Sequence, residues 1–327
     1  MHKVIFDTDP GVDDAMALVF QTCHPEIELI GVTSVFGNAT IETTTRNAVY
    51  LVERFAAPEV MVAQGAAGPL RGAAPPPIPH IHGHNGLGDI ELAALPTQNR
   101  AARLDARPAH RFIIDTIRQH PNEINLIAVG PLTNLALALQ EAPDIQHLVK
   151  QVIIMGGAFG INGVLGNVTP CAEANISADP DAADQVLTAA WKVTAAGLDV
   201  TQKAVMSTAY LDNLRQHGGE VGQFVWDVSR LYEQFHRDSA DVHGIYVHDS
   251  SAVAYLVAPQ LYEVRQGAVR VALDGLARGQ TIQKPAAMGV PAPSWDGFKM
   301  QDVCVDVDVA GFLQLYFDTL TANAKAA

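Results

Sequence analysis

Short apolar runs alternate along this chain with longer stretches of helical spacing. Val4–Phe6 ends in Asp7-Thr8-Asp9-Pro10-Gly11, and Asp13–Cys23 then reads as a helix. Ile27–Phe36 ends in Gly37-Asn38 and is followed by a helical pattern over Ile41–Phe55. Ile124–Val129 passes through Gly130-Pro131 into a helix at Leu132–Gln140. Val152–Met155 stops at Gly156-Gly157, and Lys192–Leu198 stops at Asp199-Val200-Thr201. Val303–Asp308 reads as a late strand and Ala310–Ala322 as a closing helix. Strands and helices in alternation give a parallel sheet covered on both faces. The expected fold is therefore α/β, with a doubly wound, mostly parallel central sheet flanked by helices. No linker divides the chain, so residues 1–327 are read as a single domain. Such sheets bind ligands beyond the carboxyl ends of their strands. Asp7, Asp9, Asn38 and Asp199 all fall there.

Two segments depart from the alternation. Leu70–Gly88 holds Pro75-Pro76-Pro77, Pro79, three histidines (His80, His82, His84) and Asn85-Gly86-Leu87-Gly88, and reads as a long surface loop. Gly156–Thr169 is Gly-rich and leads into Glu173 and Asn175. Long loops beside strand ends are common places for lids and binding groups.

Composition narrows the partners. With 327 residues, 48% of them hydrophobic, the chain is long enough for a large core. The formal charge of -14 is spread along the chain. It disfavours nucleic-acid polymers and anionic membranes, and suits metal cations and uncharged or cationic small molecules. Cys23, Cys171 and Cys304 lie far apart without CxxC spacing, against both a disulfide framework and a zinc site. A reduced, cytoplasmic location fits. Met1–Asp7 runs straight into a strand with no signal-peptide pattern, and no apolar run is long enough to cross a bilayer.

Three constellations carry candidate chemistry. The densest is Asp7-Thr8-Asp9-Pro10-Gly11-Val12-Asp13-Asp14, four carboxylates around one strand-to-helix turn. Such crowding is unfavourable unless a cation or fixed dipoles compensate. Hard oxygen ligands suit calcium or magnesium. The competing reading, in which Asp13 and Asp14 only cap the helix, leaves Asp9 unexplained. The second is Tyr246-Val247-His248-Asp249 before the apolar stretch Ala252–Val257. Spacing leaves open whether Asp249 caps that helix or supplies a further metal carboxylate beside a proton donor. The third is Asn167–Asn175, where Glu173 and Asn175 point the same way if the segment is extended. An amide and a carboxylate on one face suit the hydroxyls of a sugar, although an ordinary polar loop has the same composition.

With these segments in view, the chain resembles the inosine–uridine type nucleoside hydrolases. Asp7–Ala15 matches that family's DxDPGxDDA signature. The match continues through Val35-Phe36-Gly37-Asn38, Gly130-Pro131-Leu132-Thr133-Asn134, Met155-Gly156-Gly157, Asn167–Asn175 and His248-Asp249, in the family's order. The resemblance implies hydrolysis of the N-glycosidic bond of a ribonucleoside to ribose and free base, with one bound calcium ion. It implies Asp9, Asp14 and Asp249 as carboxylate ligands, with the backbone carbonyl of Val129. Asp13, Asn38, Met155 through its backbone, Asn167, Glu173 and Asn175 match positions that hold the ribose. The nucleophile is then calcium-bound water, with Asp9 as general base and His248 as candidate acid for the departing base. His82 is a second candidate beside the base, because its loop resembles the family's mobile loop over the pocket. Tyr232, Phe235 and His236 fall on the helix that precedes His248, where a ring can stack on a base and His236 can hydrogen-bond it. Core packing at helical spacing explains Tyr232 and Phe235 equally well. Where pyrimidine-preferring members carry Gln and Tyr, this chain has His236 and Ala240, so a broad inosine–uridine range is expected. A homo-oligomer, dimer or tetramer, is expected from the resemblance alone.

Two rivals are disfavoured by the same residues. In a haloacid-dehalogenase-type phosphatase the first Asp would be the nucleophile, but Pro10-Gly11 and the pair Asp13-Asp14 depart from that pattern. A non-catalytic nucleoside-binding protein should lack the general base or acid, and both Asp9 and His248 are present.

Overall fold

A computed structural model describes residues 1–92 and 103–322. Six strands follow in the first two-thirds of the chain: β1 (His2–Thr8), β2 (Ile27–Ser34), β3 (Met61–Gln64), β4 (Ile124–Ala128), β5 (Gln151–Met155) and β6 (Val193–Ala196). They lie in the order β3-β2-β1-β4-β5-β6, and every pair is parallel. The order reverses between β1 and β4. A crevice opens there because the connections leave β1 and β4 in opposite directions, so ligands bind at this point in open α/β sheets. The signature turn after β1 and the Val129-Gly130-Pro131 turn after β4 flank that crevice.

The central strands are largely apolar because both faces are covered. Side chains alternate across β1, β4 and β5. Val4, Phe6, Ile127, Ile153 and Met155 enter one core, while Ile5, Leu126, Ala128, Val152 and Ile154 enter the other. Helices Val12–Cys23, Ser250–Val257 and Val309–Ala322 pack in the first layer. Helices Ala109–Gln119, Thr133–Glu141 and Pro180–Thr188 form the second.

Sequence periodicity located most of these elements to within a few residues at each end, and Ile41–Phe55 matches at both; β3 and the helices Ala109–Gln119 and Pro180–Thr188 it did not locate. It did not show the far side of the sheet. After a short antiparallel pair, β7 (Val205–Ser207) and β8 (Gly244–Tyr246), the chain forms β9 (Tyr262–Val271), β10 (Thr281–Pro285) and β11 (Gln301–Val307). β11 continues the sheet parallel to β6, and β9 and β10 extend it antiparallel. β11 is the late strand expected at Val303–Asp308.

The expected surface loop at Leu70–Gly88 is corrected in its second half. Pro79–His82 is a short helix, and His82 and Leu87 are buried. Asn47 donates to the carbonyl of Asn85, and Gly88, at φ +67°, lets the backbone close against the carbonyl of Val228. These contacts fix a histidine-bearing segment over the strand ends. Among the described residues, no helix is long and apolar enough to cross a membrane.

Candidate active site

Strand β1 delivers its carboxylates in two layers. Asp7 lies level with Thr33 and Ala128 of the neighbouring strands and is fully buried. It accepts from Thr33 Oγ1 and from Asn134 Nδ2 at 2.8 Å. Asn134 also donates to the carbonyl of Ser34 at 3.0 Å. Asp7 therefore ties three strand ends together and faces no cavity; burial pushes its carboxyl up to about 7.

Beyond it the chain turns through Pro10-Gly11 into the helix Val12–Cys23. Asp14, in the first turn, accepts from the backbone N–H of Gly11 (2.9 Å) and of Asp9 (3.2 Å), from Thr8 Oγ1, and from Asn38 Nδ2 (2.9 Å). It thus caps the helix and also reaches the site. Asp9 uses Oδ2 to accept from the N–H of Asn38 at 2.7 Å. Its Oδ1 is buried without a partner, as is Oδ1 of Asp13. Two glycines make room for Asp9: a Cβ on Gly37 would lie 2.0 Å from Oδ2, and one on Gly130 would lie 2.5 Å from Oδ1. Gly130→Ala should therefore displace the Asp9 carboxylate and lower kcat by about tenfold or more, with the far-UV circular dichroism unchanged. Wild-type activity in that variant would show that the close approach does not matter.

Asp249 sits at the N-cap of Ser250–Val257 but makes no capping bond. Its side chain turns instead toward Asp13 and Asp14. Single oxygens of Asp13, Asp14 and Asp249 all lie within 4.8 Å of one another. This trio differs from the expected Asp9–Asp14–Asp249: Asp13 joins the tight group, and Asp9 is drawn toward the N–H of Asn38. Burial raises all four carboxyls, and their mutual repulsion adds to it for Asp9, Asp14 and Asp249. Asp13 and Asp14 reach about 6, and Asp9 and Asp249 lie well above the usual carboxylate range. Buried, crowded oxygens with unpaired lone pairs fit a hard divalent cation.

Above the carboxylates lies a cavity of about 470 Å³. Asp13, Asn38, His82, Val129, Met155, Asn167, Glu173, Asn175, Tyr232, His236, His248 and Asp249 all line it. Of the ligand, ribose and base candidates that the resemblance implies, Asp9 and Asp14 lie outside its walls. The Asn167–Asn175 segment is not extended where it matters. Glu173 is the N-cap of the helix Ala174–Ala178, accepting from Asn175 N, Ile176 N and Gly157 N at 2.9–3.1 Å. Helix capping, not strand alternation, brings Glu173 and Asn175 to one side. Asn175 Nδ2 donates to the carbonyls of Val129 (2.7 Å) and Met155 (3.1 Å), bracing the ends of β4 and β5.

Asp199 corrects one expectation. It accepts from the N–H groups of Phe159 (2.8 Å) and Ile161 (2.7 Å), holding the Gly-rich loop, and does not line the cavity. Its neighbour Thr201 is the residue that reaches the site, with Oγ1 2.8 Å from Nδ1 of His248. Nothing in the sequence marked Thr201, because its role depends on β8 returning beside the helix Leu198–Thr201. Burial, with His236 and His82 nearby, holds the His248 imidazole down at about 3, so it is neutral at pH 7 in the cation-free protein. Tyr232 and His236 are buried in the helix Gly219–Ala240 and line the cavity together with Phe235; all three also pack against neighbouring rings.

Residues 4–314 match the family model described as inosine-uridine preferring nucleoside hydrolase. The chain belongs to this family. A uridine nucleosidase of Arabidopsis thaliana is 37% identical over 314 residues, covering 96% of this chain and 91% of the relative. A non-specific ribonucleoside hydrolase of Escherichia coli is 34% identical, covering 97% of each chain. The solved structure of a purine-preferring ribonucleoside hydrolase from Gardnerella vaginalis superposes with a TM-score of 0.89 at 34% identity, covering 99% of this chain and 100% of the other. The nucleoside hydrolase fold and enzyme class are thus established for this chain, and with them hydrolysis of ribonucleosides to ribose and base. These relatives carry three different substrate descriptions at similar identity. Overall similarity to this nucleoside hydrolase therefore does not set the base preference.

Proposed function

We propose that this nucleoside hydrolase is calcium-dependent and acts on a broad range of ribonucleosides, inosine and uridine among them. The observation that carries the reading is the buried carboxylate cluster, with unpaired oxygens on Asp9 and Asp13, at the floor of a cavity sized for a small ligand. Asp9, Asp14, Asp249 and the Val129 carbonyl are the proposed ligands. Their all-oxygen donor set suits calcium, which accepts high and irregular coordination. When bound, calcium supplies a Lewis-acidic point that orients water and the ribose hydroxyls and partly acidifies the water.

The chain's own groups do the rest. Asp9 takes the proton of the attacking water as it approaches the anomeric carbon. Asp13, Asn38, Glu173, Asn175, Asn167 and the Met155 backbone hold the ribose, and their carboxylates favour the positive charge that develops on the sugar ring in an oxocarbenium-like transition state. His248, held by Thr201, is proposed to protonate the departing base, a role that requires the negative charge of the ionised cluster and the bound nucleoside to raise its imidazole from the low value of the empty site. His248→Ala should lower kcat on inosine far more than on p-nitrophenyl riboside, whose leaving group needs little protonation. Equal losses on both would remove His248 from that role. A cytoplasmic homo-oligomer serving nucleoside salvage completes the proposal.

The direct test is ribose release from inosine, uridine, adenosine and cytidine, each with and without a calcium chelator. Release that the chelator abolishes supports the whole reading. Release that survives the chelator refutes the calcium dependence.

A further inference from the structure

Two buried histidines in the wall of the pocket are held in opposite tautomers by the backbone. Nδ1 of His82 accepts the N–H of Val12 at 3.1 Å. A backbone amide can only donate, so that nitrogen carries no hydrogen, and the ring must carry its proton on Nε2. His236 is the converse. Its Nδ1 lies 2.8 Å from the carbonyl of Tyr232, one turn earlier in the same helix. A carbonyl can only accept, so Nδ1 carries the hydrogen; with burial lowering its pKa, the neutral ring leaves Nε2 bare. Tyr232 lies between the two rings, stacked on His82 at 5.5 Å and edge-on to His236 at 4.3 Å. Both rings line the cavity, and among the described residues neither Nε2 has a hydrogen-bond partner or is a buried orphan.

We propose that this pair reads the nucleobase by fixed polarity: Nε2–H of His82 donates to the base, and the bare Nε2 of His236 accepts an N–H from it. The proposal rests on the nucleoside hydrolase reading above and names the base feature that the site requires. A base must offer an N–H toward His236, either a ring N–H as in uracil and hypoxanthine or an exocyclic amine as in adenine and cytosine. Because both kinds satisfy one acceptor, the range is broad across the common bases. It is narrow against bases with no N–H on that edge.

The test compares uridine with 3-methyluridine, and inosine with purine riboside, in wild-type and His236→Phe enzyme. The first analogue replaces the N–H by a methyl; the second removes it together with the 6-oxo group, without adding bulk. Rates on p-nitrophenyl riboside, which has no base edge, are the internal reference. Wild-type kcat/KM should favour each parent by about tenfold or more, and the substitution should lower both ratios by about tenfold, the share carried by the N–H to His236. Ratios that His236→Phe leaves intact overturn the proposal. Independently, 15N spectra of the wild-type histidines should show a bare Nε2 on His236 and a protonated Nε2 on His82. The opposite tautomer at either ring, or an imidazolium at pH 7, also overturns it. Absence of ribose from every substrate, p-nitrophenyl riboside included, would instead count against the hydrolase reading, and the spectra would still decide the tautomers.

Discussion

Asp9→Ala should lower kcat on inosine and uridine by about 10³-fold or more. Two losses combine in this variant. One is the general base, whose removal alone is worth about 10²–10⁴-fold. The other is a proposed ligand of the cation. The geometry makes compensation difficult: Asp9 is buried, Gly37 and Gly130 pack against its oxygens, and no second carboxylate occupies that place. Asp7, two residues earlier, cannot substitute because it points into the sheet and is held by Thr33 and Asn134. Ribose release measured in saturating calcium, with calcium binding followed by calorimetry, separates the two losses. A variant within tenfold of wild type, with calcium still bound, would remove Asp9 from the role of base.

The second large effect concerns the cation-free protein. Asp13 and Asp14 have folded-state pKa values of about 6, raised chiefly by burial above the ordinary aspartate value of 3.8. A carboxyl raised in this way binds its proton more tightly when folded. Its contribution to stability is complete below the unfolded value and is lost as pH rises through the folded one. The buried Asp9 and Asp249 shift in the same direction. Between pH 5 and 7.5 the metal-stripped protein should therefore lose stability, by roughly 1–2 kcal/mol for one such carboxyl, the part of its full linkage, at about 1.36 kcal/mol per unit, that remains above pH 5. In a chain of this length that is roughly 2 °C in Tm for each such carboxyl. Calcium, binding the ionised cluster only in the folded state, should reverse the loss and raise Tm most at the upper end of the window. Scanning calorimetry of stripped and calcium-loaded protein across that range reads both effects. A stripped protein whose Tm rises with pH, or a Tm at pH 7.5 that calcium does not move, would contradict this account of the cluster.

Much of the site was legible in the sequence because its residues follow strand ends. Asp7, Asp9, Asp13 and Asp14 share one turn, and the parallel sheet puts every such turn on the same side of the molecule. The Val129 and Met155 turns reach the pocket by the same rule. Asp199 failed by that rule: it stands at a strand end but turns sideways to hold the loop at Phe159 and Ile161. The roles of Glu173 and Asn175 were read through strand alternation, whereas a helix cap is what orients them. Asp249 looked like a cap and caps nothing.

Local chemistry accounts for what the sequence determined by itself. Apolar runs in alternation with helices specify the parallel sheet, and four carboxylates in one turn call for a cation. The reversal of strand order between β1 and β4 was not in any local segment, because strand neighbours are chosen by packing across the whole chain. Tertiary structure alone brought Asp249 to Asp13 and Asp14, set Thr201 against His248, and laid Val12 beneath His82. It also decided the tautomers of His82 and His236, because a ring proton goes where the surrounding backbone donors and acceptors require it.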